Sequence, residues 1–189
     1  MNSFTIDLET VNLAEEIGGW EAPPGDFGFT TVCGWSSATE RPHFYGGIRR
    51  EEIKALVAMI EAHDVIISFN GVHFDIPVIE GVYGDKIAIK RHIDILQLIW
   101  EAQHGEREEG YKLAELGPRT LGIEKSGESV MAPELAREGR WNELLDYCLG
   151  DVVITRKLAL HVQKHGSLPT PCGGLLHIKT PDWFQDLTI

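Results

Sequence analysis

The 189-residue chain has the length of one domain with a substantial hydrophobic core. Its net charge of −12 argues against a broad basic surface for nucleic acid, but is compatible with a local basic surface or with a metal site that absorbs negative charge. The three cysteines form neither a C-x-x-C pair nor a disulfide pattern, and no segment has the character of a signal peptide or the length of a membrane span. We therefore expect a cytoplasmic protein with no membrane partner.

The first third of the sequence predicts strands. Residues 3–9 alternate apolar and polar side chains, as a strand with one polar face does. A loop rich in Gly, Pro and acidic residues follows as far as Gly28, and the segments 29–37 and 42–47 predict a hairpin. Apolar residues at helical spacing then predict a helix over 50–63.

Strands and helices alternate in the rest of the chain. The nearly all-apolar segment 64–70 is typical of a strand buried on both faces, and 74–84 predicts a helix. The segment 86–96 predicts a strand that leads into a helix. Further helices are predicted at 111–122 and at 132–166, with a break near Gly139. Strands first, and then strands alternating with helices, favour a single domain with a mixed sheet flanked by helices.

The first strand contains the stretch "FTIDLET". Because side chains on a strand repeat every two residues, Asp7 and Glu9 share one face. Like charges on one face of a sheet are destabilising. A solvated sheet face is the usual explanation for such a pair, and a bound cation is the alternative.

A second motif, "FNGVHFD", follows the buried strand and contains Asn70, Phe74 and Asp75. A buried parallel strand delivers the following loop to its carboxyl end, where α/β proteins form ligand sites. Asp75 then stands at the beginning of the next helix. It is a candidate functional residue there, but an N-cap role is an equally good explanation of an Asp at this position.

A third motif, "DYCLGDVV", lies in the late helical region. Tyr147 and Asp151 are four residues apart, so they share one face of a helix. Without the other motifs, a Tyr and an Asp on the helix surface with no function would be an equally good interpretation.

In this order, D-x-E, N-x-x-x-F-D and Y-x-x-x-D resemble the motifs of the DEDD family of 3′–5′ exonucleases, in its tyrosine-bearing (DEDDy) branch. The histidine branch would place His where Asp146 stands. The stretches "YKLAELGPRTLGIEKSGE" and "WNELLDYCLGDVVITRKL" are similar to those of family B DNA polymerase proofreading domains and their stand-alone relatives. The resemblance covers roughly residues 3–160.

The resemblance implies a ribonuclease H-like α/β fold, a mixed sheet of about five strands with helices on both faces. We expect this domain to span residues 1–166. Residues 167–189 are expected to form a C-terminal tail packed on it. The loop over 11–28 is longer than is usual in the family, and we expect it either to cover the substrate cleft or to act as a lid. Asp94, although acidic in many relatives, is interpreted as a helix cap and not as a ligand.

The same resemblance implies a two-metal mechanism with Mg²⁺ or Mn²⁺. Asp7 bridges both ions, Glu9 and Asp151 complete the site of the ion that activates water, and Asp75 supports the second ion. Tyr147 orients or deprotonates the attacking water. The chemistry suits the residues, because hard divalent cations prefer carboxylate oxygens and a pair of them can stabilise phosphodiester cleavage. Without metal, four carboxylates in one cleft would repel one another.

The implied substrate is single-stranded DNA or RNA with a free 3′ end, and the implied product is nucleoside 5′-monophosphate. The polymerase-like stretches favour DNA. Thr10, Asn70 and Phe74 are the candidate substrate-binding residues, although Phe74 also suits core packing. An RNA-processing exonuclease of the same fold, or a catalytically silent nucleic-acid-binding or scaffold module, are the alternatives. The tail "PDWFQDLTI" suits either a replication or repair partner or packing on its own domain.

Overall fold

The computed structural model describes residues 1–127 and 131–189. The strands are β1 (Ser3–Thr10), β2 (Phe29–Ser36), β3 (Arg41–Gly46), β4 (Val65–Ser68), β5 (His92–Asp94), β6 (Ser167–Pro169) and β7 (Leu175–His177). The helices are α1 (Pro24–Phe27), α2 (Arg50–Ala62), α3 (Asp75–Tyr83), α4 (Ile95–Ala102), α5 (Leu113–Leu116), α6 (Met131–Arg137) and α7 (Trp141–His165).

Strands β1 to β5 form a mixed sheet in the order β3-β2-β1-β4-β5. The first three strands are antiparallel neighbours, while β1, β4 and β5 run parallel. This arrangement confirms the predicted five-stranded sheet flanked by helices. The carboxyl ends of the three parallel strands therefore open at one edge, with β1 at the centre of the sheet.

The two faces of β1 have different partners. Phe4, Ile6 and Leu8 join the hydrophobic cluster that contains the apolar side chains of α2 and α3. Residues at odd positions on β1, including Asp7 and Glu9, point to the opposite face because strand side chains alternate. Helix α7 packs against β1 and β2 on that face. The acidic pair predicted from sequence thus faces a helix and not solvent.

Strand β5 is shorter than the sequence pattern predicts. Residues 86–91 are not in a strand, and only His92–Asp94 pair with β4. Carboxylates of neighbouring helices accept the backbone N–H groups that a strand partner would have taken: Glu80 bonds Ile87 and Glu61 bonds Ala88, each at 3.1 Å. Ile87 is still buried, so the apolar pattern reflects core packing without a strand.

The segment 11–28 is fastened to the domain at several points. The carbonyl of Phe27 accepts the N–H groups of Val11 and Asn12 at 3.2 and 3.1 Å. Helix α1 crosses α3 so closely that a Cβ added at Gly25 would lie 3.0 Å from the Gly81 carbonyl carbon. Only glycine at both positions allows this approach of two backbones.

Residues 167–189 pack on the domain. Phe184, Leu187 and Ile189 are buried in the cluster that also contains apolar side chains of α4 and α7. The Gln163 side chain donates to the Phe184 and Leu187 carbonyls at 2.7 and 2.9 Å, and Arg156 donates to the Ile189 carbonyl at 2.7 Å. These apolar side chains of the tail are therefore part of the core.

No helix among residues 1–127 and 131–189 has both the length and the apolar character that crossing a bilayer requires.

Candidate active site

The sequence-predicted residues of β1 and α7 meet at the carboxyl edge of the sheet. Asp7 and Glu9 line one cavity of about 390 Å³ together with Tyr147 and Asp151 of α7. A register shift in the β1–β2 pairing falls just after Glu9, and such bulges commonly re-aim side chains beside active sites. Strand alternation and the four-residue helical repeat thus bring four of the predicted side chains into one space.

Asp75 approaches this space from the other side, at the beginning of α3. It is 5 % exposed, and its carboxylate accepts the Leu8 N–H at 3.1 Å. The contact ties the third acid to the backbone between Asp7 and Glu9. Asp75 itself is not among the residues that line the cavity, and its contact with the other acids runs through the backbone of Leu8.

Asp94 shapes the loop that carries Asp75. Its carboxylate accepts N–H groups from Leu96 and Gln97 in the first turn of α4, as the cap interpretation predicts. It also accepts the N–H groups of Asn70 and Val72, each at 2.9 Å. Asp94 therefore caps one helix and holds the loop before another in place.

The three candidate substrate-binding residues line the same cavity. Asn70 has φ 69°, a left-handed conformation that Asn tolerates better than most residues, and its carbonyl accepts the N–H groups of His73 and Phe74. Phe74 also packs on the cluster beneath α3. Thr10 follows the register shift at the end of β1. Their positions suit contact with a ligand. Asn70 also stabilises the turn before α3, and Phe74 also packs in the core.

Lys125 is a member of the site that sequence reasoning missed. Its ammonium lies 2.7 Å from the Asp151 carboxylate and 5.0 Å from the centroid of the Tyr147 ring. Its side chain is only 13 % exposed. It lies outside the three motifs, on a loop, so no spacing rule links it to Asp151. The one argument from sequence that pointed to such a residue is that clustered acids need a positive charge nearby.

The pairing with Lys125 changes the predicted charge balance. The sequence predicts four mutually repelling carboxylates, but Asp151 has a positive partner. Burial raises the pKa of Asp151 above its usual range, and Lys125 opposes the rise. Although burial alone lowers the pKa of an ammonium, the Asp151 carboxylate holds the pKa of Lys125 above its usual value. Lys125 is thus charged and compensates one of the acids.

Burial and mutual repulsion destabilise the charged forms of the remaining acids. Burial, followed by the charges of Asp151, Glu9 and Asp75, raises the pKa of Asp7 well above its usual range. Burial and the Asp151 charge raise the pKa of Glu9 to about 8. Burial raises the pKa of Asp75 to about 7 even though backbone N–H groups favour its charged form. Such shifts are expected where buried carboxylates lack sufficient cationic charge.

Tyr147 presents a free hydroxyl to the cluster. The side chain is 6 % exposed, and its buried oxygen has no hydrogen-bond partner within the described residues. Burial raises the pKa of Tyr147 above its usual value, against the effect of Lys125. A buried hydroxyl without a partner is costly, which suggests that a water or a ligand is its partner during function.

Cys148 is a second residue that the motifs did not mark. Its thiol donates to the Asp7 carbonyl at 3.4 Å and to Asp7 Oδ2 at 3.7 Å. Burial raises the pKa of Cys148 well above its usual range, so the group is a neutral thiol. We interpret Cys148 as a donor that orients Asp7, although its sulfur lies within 4.8 Å of oxygens of Asp7 and Glu9.

A family model described as RNase_H superfamily matches residues 27–163, which is most of the chain. The protein belongs to the RNase H superfamily. The match contains Asp75, Tyr147 and Asp151, whereas Asp7 and Glu9 precede it. No curated protein matches this sequence significantly.

Solved structures support the same fold. One is the family B DNA polymerase from the hyperthermophilic archaeon Pyrobaculum calidifontis, with a TM-score of 0.65 and 15 % sequence identity. The match covers 86 % of this chain but 24 % of that polymerase chain. At this identity the likeness concerns the fold alone.

The donor set fits divalent metal ions. Asp7, Glu9 and Asp151 present carboxylate oxygens to the cavity, and hard cations such as Mg²⁺ and Mn²⁺ prefer such ligands. An acidic site that binds cations is expected to have raised carboxyl pKa values when the cations are absent. Asp7 and Glu9 have such raised pKa values, and the Tyr147 hydroxyl beside them has no partner within the described residues.

The raised pKa values predict how the metal-free protein responds to pH. Glu9 binds its proton more tightly in the folded state, so its contribution to the free energy of unfolding is fully present below pH 4.5 and is lost as pH rises to about 8. In EDTA, the melting temperature should therefore fall from pH 5 to pH 8, by roughly 2–4 °C per kcal/mol lost. Thermal melts of wild type and Glu9→Gln should show a weaker fall in the variant. Saturating Mn²⁺ should flatten the wild-type curve.

Glu106→Gln is the matched control for that series, because Glu106 is exposed on a loop. Its melting curve should follow that of wild type at every pH. A wild-type melting temperature that rises between pH 5 and 8 in EDTA would contradict the described charge distribution.

Proposed function

We propose that the protein is a metal-dependent 3′–5′ exonuclease of the DEDDy type that hydrolyses single-stranded nucleic acid, preferably DNA, to nucleoside 5′-monophosphates. The observation that carries the proposal is the convergence of Asp7, Glu9 and Asp151 with the unpartnered hydroxyl of Tyr147 in one cavity. Membership of the RNase H superfamily supports a nuclease. The direction of cleavage and the substrate rest on the motifs and on this arrangement.

In this proposal Asp7, Glu9 and Asp151 hold two Mg²⁺ or Mn²⁺ ions, and Asp75 supports them from behind Leu8. When bound, the ions would supply the positive charge that phosphodiester hydrolysis needs at the attacking and leaving oxygens. The protein side chains position the ions and keep the cavity closed around the reacting phosphate.

Tyr147 positions the attacking water. In the metal-free protein burial raises the pKa of Tyr147, so the hydroxyl carries its proton at neutral pH. Bound cations would favour loss of that proton, so the hydroxyl can serve either to orient the water or to deprotonate it. Lys125 is placed to hold Asp151 in a fixed rotamer and to add positive charge beside the scissile phosphate. Thr10 and Asn70 are placed to contact the terminal nucleotide.

The preference for DNA has two supports. The sequence stretches around Tyr111 and Tyr147 are similar to those of polymerase proofreading domains, and one of the solved structures that share the fold is that of a DNA polymerase. An RNA-processing activity would use the same residues. Parallel assays on DNA and RNA of one sequence, 5′-labelled, with Mn²⁺, separate the two.

Digestion should depend on a free 3′ hydroxyl end. A 5′-labelled linear single strand should shorten in single-nucleotide steps, while a 3′-phosphorylated strand should resist and a circular single strand should persist. The reason is that, in the proposed mechanism, the nucleotide with the free 3′ hydroxyl has to enter the cavity of about 390 Å³ beside Asp7. Gel analysis of the three substrates with Mn²⁺ provides the measurement.

Rapid cutting of the circle would show an endonuclease and overturn the proposed direction. Binding of all three strands without any cleavage would favour a catalytically silent nucleic-acid-binding module.

A further inference from the structure

We propose that a groove beside the carboxylate cavity is a stacking subsite for an unpaired base upstream of the scissile phosphate. The groove has a volume of about 420 Å³ and is lined by Trp20, Phe27, His73, Phe74, Trp100 and Arg107, among others. We call it the aromatic groove. The inference rests on the proposed nuclease function and names the part of the substrate that the groove takes.

Trp20 is the central observation. It belongs to the segment 11–28 and is 75 % exposed, an unusual position for the largest apolar side chain. It is nevertheless held in place, because its ring stacks on buried Phe27 with the centroids 5.8 Å apart and meets Phe74 edge-on at 6.1 Å. An exposed but positioned indole is a ready surface for a nucleobase.

The groove is continuous with the active site. Trp20, Phe27, Asn70 and Phe74 line both the aromatic groove and the carboxylate cavity. A strand whose terminal nucleotide lies beside Asp7 can therefore reach the groove without crossing a barrier. This continuity favours a nucleotide of the same strand as the occupant.

The charge of the groove fits a polyanion. The protein carries 29 acidic residues, yet among the described residues that line the aromatic groove there is no Asp or Glu. Arg107 and His73 are its ionisable groups. A larger cavity shares Asn70, Trp100 and Arg107 with the groove, but acids outnumber cations in its lining, so it is less suited to a phosphate backbone.

Arg107 is held in a geometry suited to phosphate. Its guanidinium lies over the Trp100 ring, 3.9 Å from the centroid. Stacking of this kind restricts a long side chain, so less entropy is lost when the guanidinium then binds an anion. We infer that Trp20 takes the base and that Arg107 takes the backbone phosphate of an upstream nucleotide.

The test compares a long and a short substrate. One is a 5′-labelled single-stranded oligonucleotide, and the other is the p-nitrophenyl ester of thymidine 5′-monophosphate, which has no upstream nucleotide to reach the groove. Trp20→Ala should lower the ratio of kcat/KM for the oligonucleotide to kcat/KM for the ester by roughly 5- to 150-fold, the range for one stacked base. Trp20→Phe should recover most of the ratio.

Arg107 is tested by salt dependence. Anisotropy titrations with a fluorescent single-stranded oligonucleotide in Ca²⁺ give log Kd against log salt. Arg107→Ala should reduce the magnitude of the slope by about 0.7, the value for one phosphate contact to a single strand. Arg107→Lys should keep the slope. Trp141→Ala is the control for both assays, because Trp141 is 45 % exposed and lies outside the groove.

The outcomes separate this inference from the proposed function. An unchanged ratio in Trp20→Ala, or an unchanged slope in Arg107→Ala, overturns the subsite even if wild type is an active exonuclease. If wild type hydrolyses neither substrate, the proposed function fails. The subsite is then upheld only if Trp20→Ala still weakens oligonucleotide binding relative to Trp141→Ala, and it is overturned otherwise.

Discussion

Asp7→Asn should lower exonuclease turnover by roughly 10³-fold or more, because losing a metal ligand forfeits several kcal/mol of charge stabilisation and each 1.36 kcal/mol is tenfold in rate. The fold should survive. The Asp7 side chain is half-buried, and burial together with the charges of Asp151 and Glu9 raises its pKa, so a neutral amide of the same shape removes repulsion. We expect the variant to melt no lower than wild type in EDTA and to show a smaller stabilisation by Mn²⁺.

Asp146→Asn is the matched control. Asp146 is an exposed acid on the same helix as Tyr147, and it occupies the position where a histidine-type exonuclease would have its base. Its turnover, melting temperature and Mn²⁺ response should equal those of wild type. Near wild-type turnover in purified Asp7→Asn would mean that the acidic cluster is not the catalytic centre.

Tyr147→Phe should lower kcat by roughly 10²–10⁴-fold, the usual effect of losing a positioned acid–base group. Its response should differ from that of Asp7→Asn in one respect. The tyrosine hydroxyl has no hydrogen-bond partner of good geometry within the described residues, and Lys125 beside it keeps its ion pair with Asp151, so removing the hydroxyl leaves the carboxylates in place. The stabilisation by Mn²⁺ should therefore stay at the wild-type value while turnover falls.

Single-turnover kinetics and melts with and without Mn²⁺ measure both quantities on one preparation. Unchanged turnover in Tyr147→Phe would mean that the ring only packs, against α6 and Leu144, whose buried side chains share its cluster. Loss of the Mn²⁺ response would mean instead that the hydroxyl binds the metal.

The parts of the structure that sequence predicted are those that follow from local periodicity. Alternation on β1 puts Asp7 and Glu9 on one face, and the helical repeat puts Tyr147 and Asp151 on another. Each pattern fixes the direction of its side chains as soon as the element forms. The sheet order then brings the two faces together, and the resemblance to known motifs predicted a mixed sheet of about five strands but not that order.

Lys125, Trp20 and Cys148 were not predictable in the same way. Lys125 and Trp20 lie on loops, where spacing along the chain does not determine which side chains meet in space. Cys148 is next to Tyr147, but its contact with Asp7 depends on how closely α7 approaches β1. The prediction of a strand over residues 86–91 was wrong for a related reason. Carboxylates from two helices accept backbone hydrogen bonds that a neighbouring strand would otherwise have accepted.

The glycine contact between α1 and α3 bears on how the segment 11–28 is held beside the cavity. Gly25 and Gly81 leave no gap between the two backbones, so the segment that carries Trp20 packs directly on the helix that begins at Asp75. Arg137 holds the other end of that segment through Glu16, at 2.7 Å. The segment is thus held to the domain at two separate points. Under the proposed function, a nucleic-acid strand would meet an entrance that is already shaped before it binds, and little ordering of this segment would oppose binding.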